Sequence, residues 1–286
     1  MSIDETTTPT PQPLLAVEEL HVSFAGRGWR AARTPVLCGV SLDIRRGETL
    51  GLVGESGSGK STLGRAILGL VPVSAGRIRL DGRRIDTMSR RQRRKLSHDL
   101  QVIFQDPYTS LNPSRTIGDT LAEPLTVQHI SPIEARRRVS RLLERVELPQ
   151  DALHRLPREF SGGQRQRVAI ARALAMSPRL IVCDEPVSAL DLTTQRTVLD
   201  LLIDIQEQTQ VAYLFISHDL SVVRALSHRV AVLRGGQIVE SGDADTVTRS
   251  PDHPYTQRLL LSAPVADPQR QQKRREELES LSCAQC

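Results

Sequence analysis

The stretch Gly54-Glu55-Ser56-Gly57-Ser58-Gly59-Lys60-Ser61 has the residue types and spacing to wrap the phosphates of a nucleotide, G-x-x-x-x-G-K-[ST]. Such a loop offers a row of backbone N–H groups and the positive end of a helix dipole to an anion. Lys60 adds a mobile cation for the outer phosphates, and the Ser61 hydroxyl can ligate Mg²⁺. Lysine occurs only at Lys60, Lys95 and Lys273, so the Lys-Ser pair after a Gly-rich loop is no accident of composition. A second group of reactive types is Asp184-Glu185, two carboxylates behind the apolar run Leu180-Ile181-Val182-Cys183. Position splits their roles: Asp184 to hold Mg²⁺ through water, Glu185 to polarise an attacking water. Read alone, the same residues are a strand ending in solvated acids. A third group is Ser161-Gly162-Gly163-Gln164, a Ser cap and two glycines ahead of a helix, which makes a second anion site or an ordinary capped helix start.

These side chains need elements to hold them. Thr49-Leu50-Gly51-Leu52-Val53 predicts a buried strand into the loop, and Thr62 to Leu70 a helix out of it. Leu15 to Phe24 and Val36 to Ile44 predict strands, as do Arg77 to Leu80 and Gln101 to Phe104. Ser89 to Ser97 predicts a basic helix. From Thr116 to Ala175 the pattern is helical. It contains the start signal Ser131-Pro132-Ile133-Glu134, with Ser as cap, Pro first inside and Glu three after the cap. Strand Leu180–Cys183, helix Thr193–Gln208, strand Val211–Ser217, helix Leu220–Ala225 and strands Val230–Leu233 and Gln237–Glu240 follow. This alternation predicts an α/β core with a mainly parallel sheet. A helical block over about 107–176 is inserted between its halves. In an open α/β sheet ligands bind at the C-terminal strand ends, where the loop and the acid pair both fall.

Composition sets the outer limits. A chain of 286 residues, 39% hydrophobic and 25% charged, is an ordinary soluble composition with room for one large domain or two smaller ones. No apolar run reaches the roughly 18 residues needed to span a bilayer. Residues 1–13 are polar and rich in Thr and Pro, which predicts disorder and no secretory signal, hence a cytoplasmic protein. Cys38 and Cys183 lie in apolar segments and read as core residues. Cys283 and Cys286 form a C-x-x-C that is an incidental tail pair or a metal or redox motif. The second pair or following helix that such a role needs is missing. Net charge is +5. Arginine clusters at Arg83, Arg84, Arg90, Arg91, Arg93, Arg94 with Lys95, and at Arg136, Arg137, Arg138, Arg141 and Arg145. They mark nucleic-acid binding, or a solvated or lipid-facing helix surface. Aromatic content of 3% favours the surface reading, because single-strand binders need stacking platforms.

Ser161-Gly162-Gly163-Gln164, roughly 100 residues after the phosphate loop and just before an apolar-Asp-Glu strand, resembles the signature of ABC-transporter ATPases. The resemblance spans about residues 14–263. It implies a P-loop NTPase core of RecA-like type with an antiparallel β subdomain and an inserted α-helical subdomain. A polar tail covers 264–286. It implies ATP held by Phe24, Gly54, Glu55, Ser56, Gly57, Ser58, Gly59, Lys60, Ser61 and Thr62, with Trp29 competing with Phe24 for the adenine. Mg²⁺ falls to Ser61, Gln105 and Asp184. Catalysis falls to Glu185, to His218 as the switch histidine at the γ-phosphate, and to Gln105 of the glutamine loop. Asp191, in Ser188-Ala189-Leu190-Asp191, matches the loop that crosses the dimer interface. The family's subunits pack head to tail, so Ser161, Gly162, Gly163 and Gln164 would act on the partner's ATP.

Three further stretches resemble dipeptide/oligopeptide importers, and their second ATPase subunit in particular: Phe104-Gln105-Asp106-Pro107-Tyr108-Thr109-Ser110-Leu111-Asn112-Pro113, Asp184-Glu185-Pro186-Val187-Ser188-Ala189-Leu190-Asp191 and His253-Pro254-Tyr255-Thr256. The resemblance implies a different second ATPase chain, two transmembrane permeases, an extracytoplasmic substrate-binding protein and a place on the cytoplasmic face of the cell membrane. Relatives of this type carry nickel, glutathione or sugars, so the solute stays open. Many such subunits add spaced cysteines resembling an iron–sulfur site. Here only Cys283 and Cys286 follow, two of the four thiolates required, and no cluster is expected. The competing readings are a non-transport ABC protein acting on nucleic acid or ribosomes and a P-loop kinase or simple binding module. The first lacks a second cassette, and the second leaves Ser161–Gln164 unexplained.

Overall fold

The computed structural model describes residues 12–25, 32–106 and 111–262. Of the stretch 1–13 expected to be disordered, residues 1–11 lie outside the described residues, as do Trp29, the segment Pro107–Ser110 and the tail with Cys283 and Cys286.

The apolar runs become strands buried on both faces, as a central parallel sheet requires. Strands β3 (Thr49–Val53), β7 (Leu180–Asp184) and β8 (Ala212–Ile216) are buried at every position. With β6 (Leu100–Ile103), β9 (Arg229–Arg234) and β10 (Gln237–Asp243) they form, among the described residues, a six-stranded sheet in the order β10-β9-β3-β8-β7-β6. All its pairs are parallel except β9 with β10, a hairpin closed by Gly235 and Gly236. A second sheet, antiparallel, has the order β2-β1-β4-β5, from β1 (Leu15–Ala25), β2 (Arg33–Ile44), β4 (Ala75–Leu80) and β5 (Arg83–Arg84).

Alternation along each central strand feeds two cores. Leu180 and Val182, with Ala212, Leu214 and Ile216, face the cluster that contains Leu15, Leu20 and Val40 of the second sheet and Leu63 and Ile67 of α1 (Lys60–Leu68). Ile181 and Cys183, with Tyr213 and Phe215, face the helical cluster. That cluster draws on α3 (Ile117–Val127), α4 (Pro132–Arg145), α5 (Gly162–Leu174), α6 (Leu192–Thr209) and α7 (Leu220–Leu226). Burial pushes the Cys183 thiol far up, so it is a core residue as expected.

Helix starts follow their caps. Ser131 accepts the Glu134 N–H at 3.4 Å and Pro132 opens α4, while the Glu134 carboxylate turns to Arg138 at 2.9 Å instead of back to the cap. A strand end and the helices after β10 differ from expectation. Phe104 falls outside β6 and is exposed, because the strand pairs with β7 only as far as Ile103. Helices α8 (Ala244–Arg249) and α9 (Pro254–Ser262) follow β10, where the sequence pattern predicts no helix; Asp243 caps the first. In the arginine clusters, Arg93 of α2 (Arg90–Leu96) turns inward to the Ile67 and Ile85 carbonyls at 3.2 and 2.8 Å. Arg84 pairs with Asp86, and Arg138 and Arg141 with Glu134.

Candidate functional site

Register lines up the ends of the central strands. Leu52 and Asp184 both pair with Ile216, and Val53 pairs with Val232. Every chain exit from β3, β7 and β8 therefore opens on one edge. From β3 comes the phosphate loop. Gly54 has φ 153°, and a Cβ there would meet the Leu233 carbonyl oxygen at 2.1 Å, so only glycine lets the loop leave so close to β9. Gly59 has φ 110°, and its Cβ would meet Leu37 at 2.9 Å. The loop is tied down by Gly236 N–H donating to the Ser58 carbonyl at 3.0 Å. No side chain caps α1, which leaves its first N–H groups to an incoming anion.

Lys60 is buried and its Nζ donates to the Gly54 and Glu55 carbonyls at 2.7 and 2.8 Å. Burial lowers the pKa of its ammonium, while the Glu185, Asp184 and Glu55 carboxylates pull it back up. Beside it the Ser61 hydroxyl donates to Asp184 Oδ1 at 2.8 Å. Burial raises the Asp184 pKa; the Ser61 hydrogen bond and the charge of Arg65 oppose this. A hydroxyl and a buried carboxylate this close are the hard oxygen donors that Mg²⁺ prefers.

Glu185 adopts φ 49°, a left-handed conformation costly for a non-glycine residue. Its N–H donates to the Ile216 carbonyl at 3.0 Å, which turns the chain sharply at the strand end. Its Oε2 then lies 3.4 Å from Nδ1 of His218, the residue that follows β8 and Ser217. The structure thus brings Lys60, Ser61, Asp184, Glu185 and His218 together.

The remaining expected residues sit elsewhere. Gln105 is exposed two positions past the end of β6, the strand that pairs with β7. Phe24 is 42% exposed near the end of β1. Ser161 and Gln164 form a reciprocal cap at the start of α5: Ser161 N–H donates to Gln164 Oε1 at 3.0 Å and Gln164 N–H to Ser161 Oγ at 3.3 Å. Among the described residues no hydrogen bond or ion pair joins Ser161–Gln164 to the phosphate loop. Their links run to the next loop instead. A Cβ on Gly163 would meet Thr194 Cγ2 at 2.3 Å, and Thr194 is held by Asp191, the cap of α6, through bonds of 3.0 and 2.6 Å. Hydrogen bonds from Thr194 hold the Asp191 carboxyl below the usual carboxylate range. Sequence reading assigns no role at the loop to Tyr255 or Gly236, because neither hydrogen bond to the loop follows a local pattern.

A glycine loop between a central parallel strand and a helix, with an acid pair at the end of a second parallel strand on the same sheet edge, is the P-loop NTPase arrangement. A family model described as "ABC transporter" matches residues 37–188, and one described as "Oligopeptide/dipeptide transporter, C-terminal region" matches residues 239–284. The chain belongs to the ABC transporter family. It is 50% identical to the glutathione import ATP-binding protein GsiA of Escherichia coli (strain K12) over 278 residues, 96% of this chain and 45% of that one. The Shigella flexneri protein of the same name gives the same figures. The chain therefore spans about half the length of the curated relatives it matches. Among solved structures it is similar to cbiO1 from Clostridium perfringens, part of the ABC transporter complex cbiONQ (TM-score 0.75, 29% identity, 83% of this chain and 91% of that one). It is also similar to the ATP-binding cassette MJ0796, a dimer in a post-hydrolysis state bound to ADP and Pi (TM-score 0.72, 29% identity, 80% and 98%).

Proposed function

We propose that this chain binds and hydrolyses ATP as a subunit of an ABC importer for dipeptides or oligopeptides. The observation that carries the ATPase reading is the convergence of Lys60, Ser61, Asp184, Glu185 and His218 on one sheet edge. In this reading 14–263 is the ATPase domain, with 107–176 its inserted helical part, and 264–286 is a tail. The backbone amides from Gly54 to Thr62 cradle the phosphates and Lys60 moves from its two carbonyl partners to the outer ones. Ser61 and Asp184, with Gln105, hold Mg²⁺, which when bound neutralises charge building on the phosphate oxygens. Glu185 orients the attacking water and draws its proton as the bond between the γ-phosphorus and its bridging oxygen breaks. His218 steadies the Glu185 carboxylate and contacts the γ-phosphate. Phe24 stacks on the adenine.

Ser161–Gln164 has no partner at its own chain's phosphate loop, which supports a head-to-tail pair in which it covers the other subunit's ATP and Asp191 lines the junction. The dimeric relatives support the same reading. ATP then acts as the ligand whose differential affinity closes the pair. In this reading separate permease chains carry the solute, with this subunit at their cytoplasmic face; among the described residues no helix is long and apolar enough to cross a membrane. A peptide solute is supported by the match at 239–284. Glutathione, named for the relatives, is the second reading.

Purified Glu185→Gln should bind ATP with wild-type affinity while turnover falls on the order of 100-fold or more. Normal turnover sinks the role given to Glu185. Uptake assays with the partner permeases, comparing a tripeptide series with glutathione, decide the solute.

A further inference from the structure

His253-Pro254-Tyr255-Thr256 lies 200 residues from the phosphate loop in sequence, yet it touches that loop. His253, Pro254 and Tyr255 each have a place that leads to this contact. Glu240 of β10 accepts the backbone N–H groups of Asp252 and His253 at 2.9 and 3.2 Å. His253 Nδ1 accepts the Tyr255 N–H at 3.0 Å and so caps the start of α9. Pro254 takes the first helical position, where a missing N–H costs nothing. Gln257 Nε2 closes the turn by donating to the Pro251 carbonyl at 2.9 Å. The frame buries Tyr255 to 3% exposure and aims its hydroxyl oxygen at the Glu55 N–H, which donates to it at 3.0 Å. Arg234, the last residue of β9, lies over the ring with its guanidinium carbon 5.0 Å from the centroid.

The Glu55 backbone is thus held on both sides of its Cα. Tyr255 holds its N–H and Lys60 holds its carbonyl. The two grips respond differently to a ligand. A phosphate competes for the Lys60 ammonium and draws it from the Gly54 and Glu55 carbonyls. Tyr255 has no such competitor, since its hydroxyl is buried behind the loop.

We propose that Tyr255 is a positioning residue that holds the Glu55 amide, and with it the phosphate loop, in the shape that receives nucleotide. Residues 239–262 thereby set the nucleotide affinity of a site to which they contribute no phosphate ligand. The inference rests on the ATP-binding reading above and adds a role for the C-terminal region to it.

The test uses the full chain with Tyr255→Phe, which keeps the ring and removes the acceptor. Hydrogen exchange of the peptide spanning 53–58, without nucleotide, should lose about tenfold in protection, as loss of one hydrogen bond implies. ATP affinity should weaken about threefold to tenfold. KM for ATP should rise with kcat unchanged, whereas a general loosening of the core raises KM and lowers kcat together with the unfolding temperature. His253→Ala, which leaves the phenol in place but frees the helix start, should lower the same protection by a smaller factor. Wild-type exchange at 53–58 in both variants overturns the anchor, as does ATP affinity equal to wild type in both. A wild-type chain that binds no ATP removes the ATPase reading instead, and the nucleotide-free exchange still decides whether Tyr255 anchors the loop.

Discussion

The Ser61 hydroxyl donates to Asp184 Oδ1 at 2.8 Å across 123 residues of chain. One residue lies in the first turn of the helix after β3 and the other ends β7, two strands away in the sheet. The bond offsets part of the desolvation that makes Asp184 a reluctant anion.

Those opposing forces separate stability from function. The folded pKa of Asp184 is raised, so its ionised form is disfavoured in the folded chain at neutral pH and acidification relieves that cost. Asp184→Asn should leave the nucleotide-free unfolding temperature unchanged or raise it by about 2–4 °C. It should also abolish the Mg²⁺ dependence of ATP binding. Ser61→Ala should leave Asp184 with one partner fewer, lower the unfolding temperature and weaken Mg²⁺-ATP binding. Calorimetry and nucleotide titration with and without Mg²⁺ check both; a strongly destabilised Asp184→Asn would show that the carboxylate is a net structural asset.

Gly163 and Thr194 allow a rescue experiment. Gly163→Ala places a methyl 2.3 Å from Thr194 Cγ2 and should destabilise the chain by about 1–3 kcal/mol. Thr194→Ser deletes that methyl and keeps the hydroxyl that bonds Asp191. The double variant should recover most of the loss in urea unfolding. An additive pair of losses would mean that the contact does not set the approach of α5 to α6.

Asp191 carries a pH signature. Its pKa is depressed in the folded state, so its contribution to stability is present above the ordinary carboxylate range and is lost as pH falls through the folded value. Asp191→Asn should therefore lower the unfolding temperature by a constant amount across neutral pH. The gap to wild type should close at the acid end of the carboxylate range. A gap independent of pH down to acid unfolding would contradict a charged cap.

Much of this was legible in the chain itself, and the reason is local. A phosphate loop needs glycine at Gly54 and Gly59, a strand before and a helix after, and all of these leave marks within about twenty residues. Buried parallel strands write themselves as apolar runs such as Leu180–Cys183, and caps such as Ser131 and Ser161 mark helix starts. Boundaries blurred where hydrogen-bond pairing and not residue type sets the end, as at Phe104.

The sequence by itself determined the loop, the acid pair, the signature stretch and the α/β order that carries them, because each is a short-range pattern of residue types. It took the folded chain to bring Ser61 to Asp184, to turn Glu185 through a left-handed φ toward His218 and to close Tyr255 on Glu55. Those relations depend on strand order and register, which bring together residues far apart in the chain. No pattern along the sequence encodes that meeting, since it arises from how the strands β3, β7, β8 and β9 are laid side by side to bury their apolar faces.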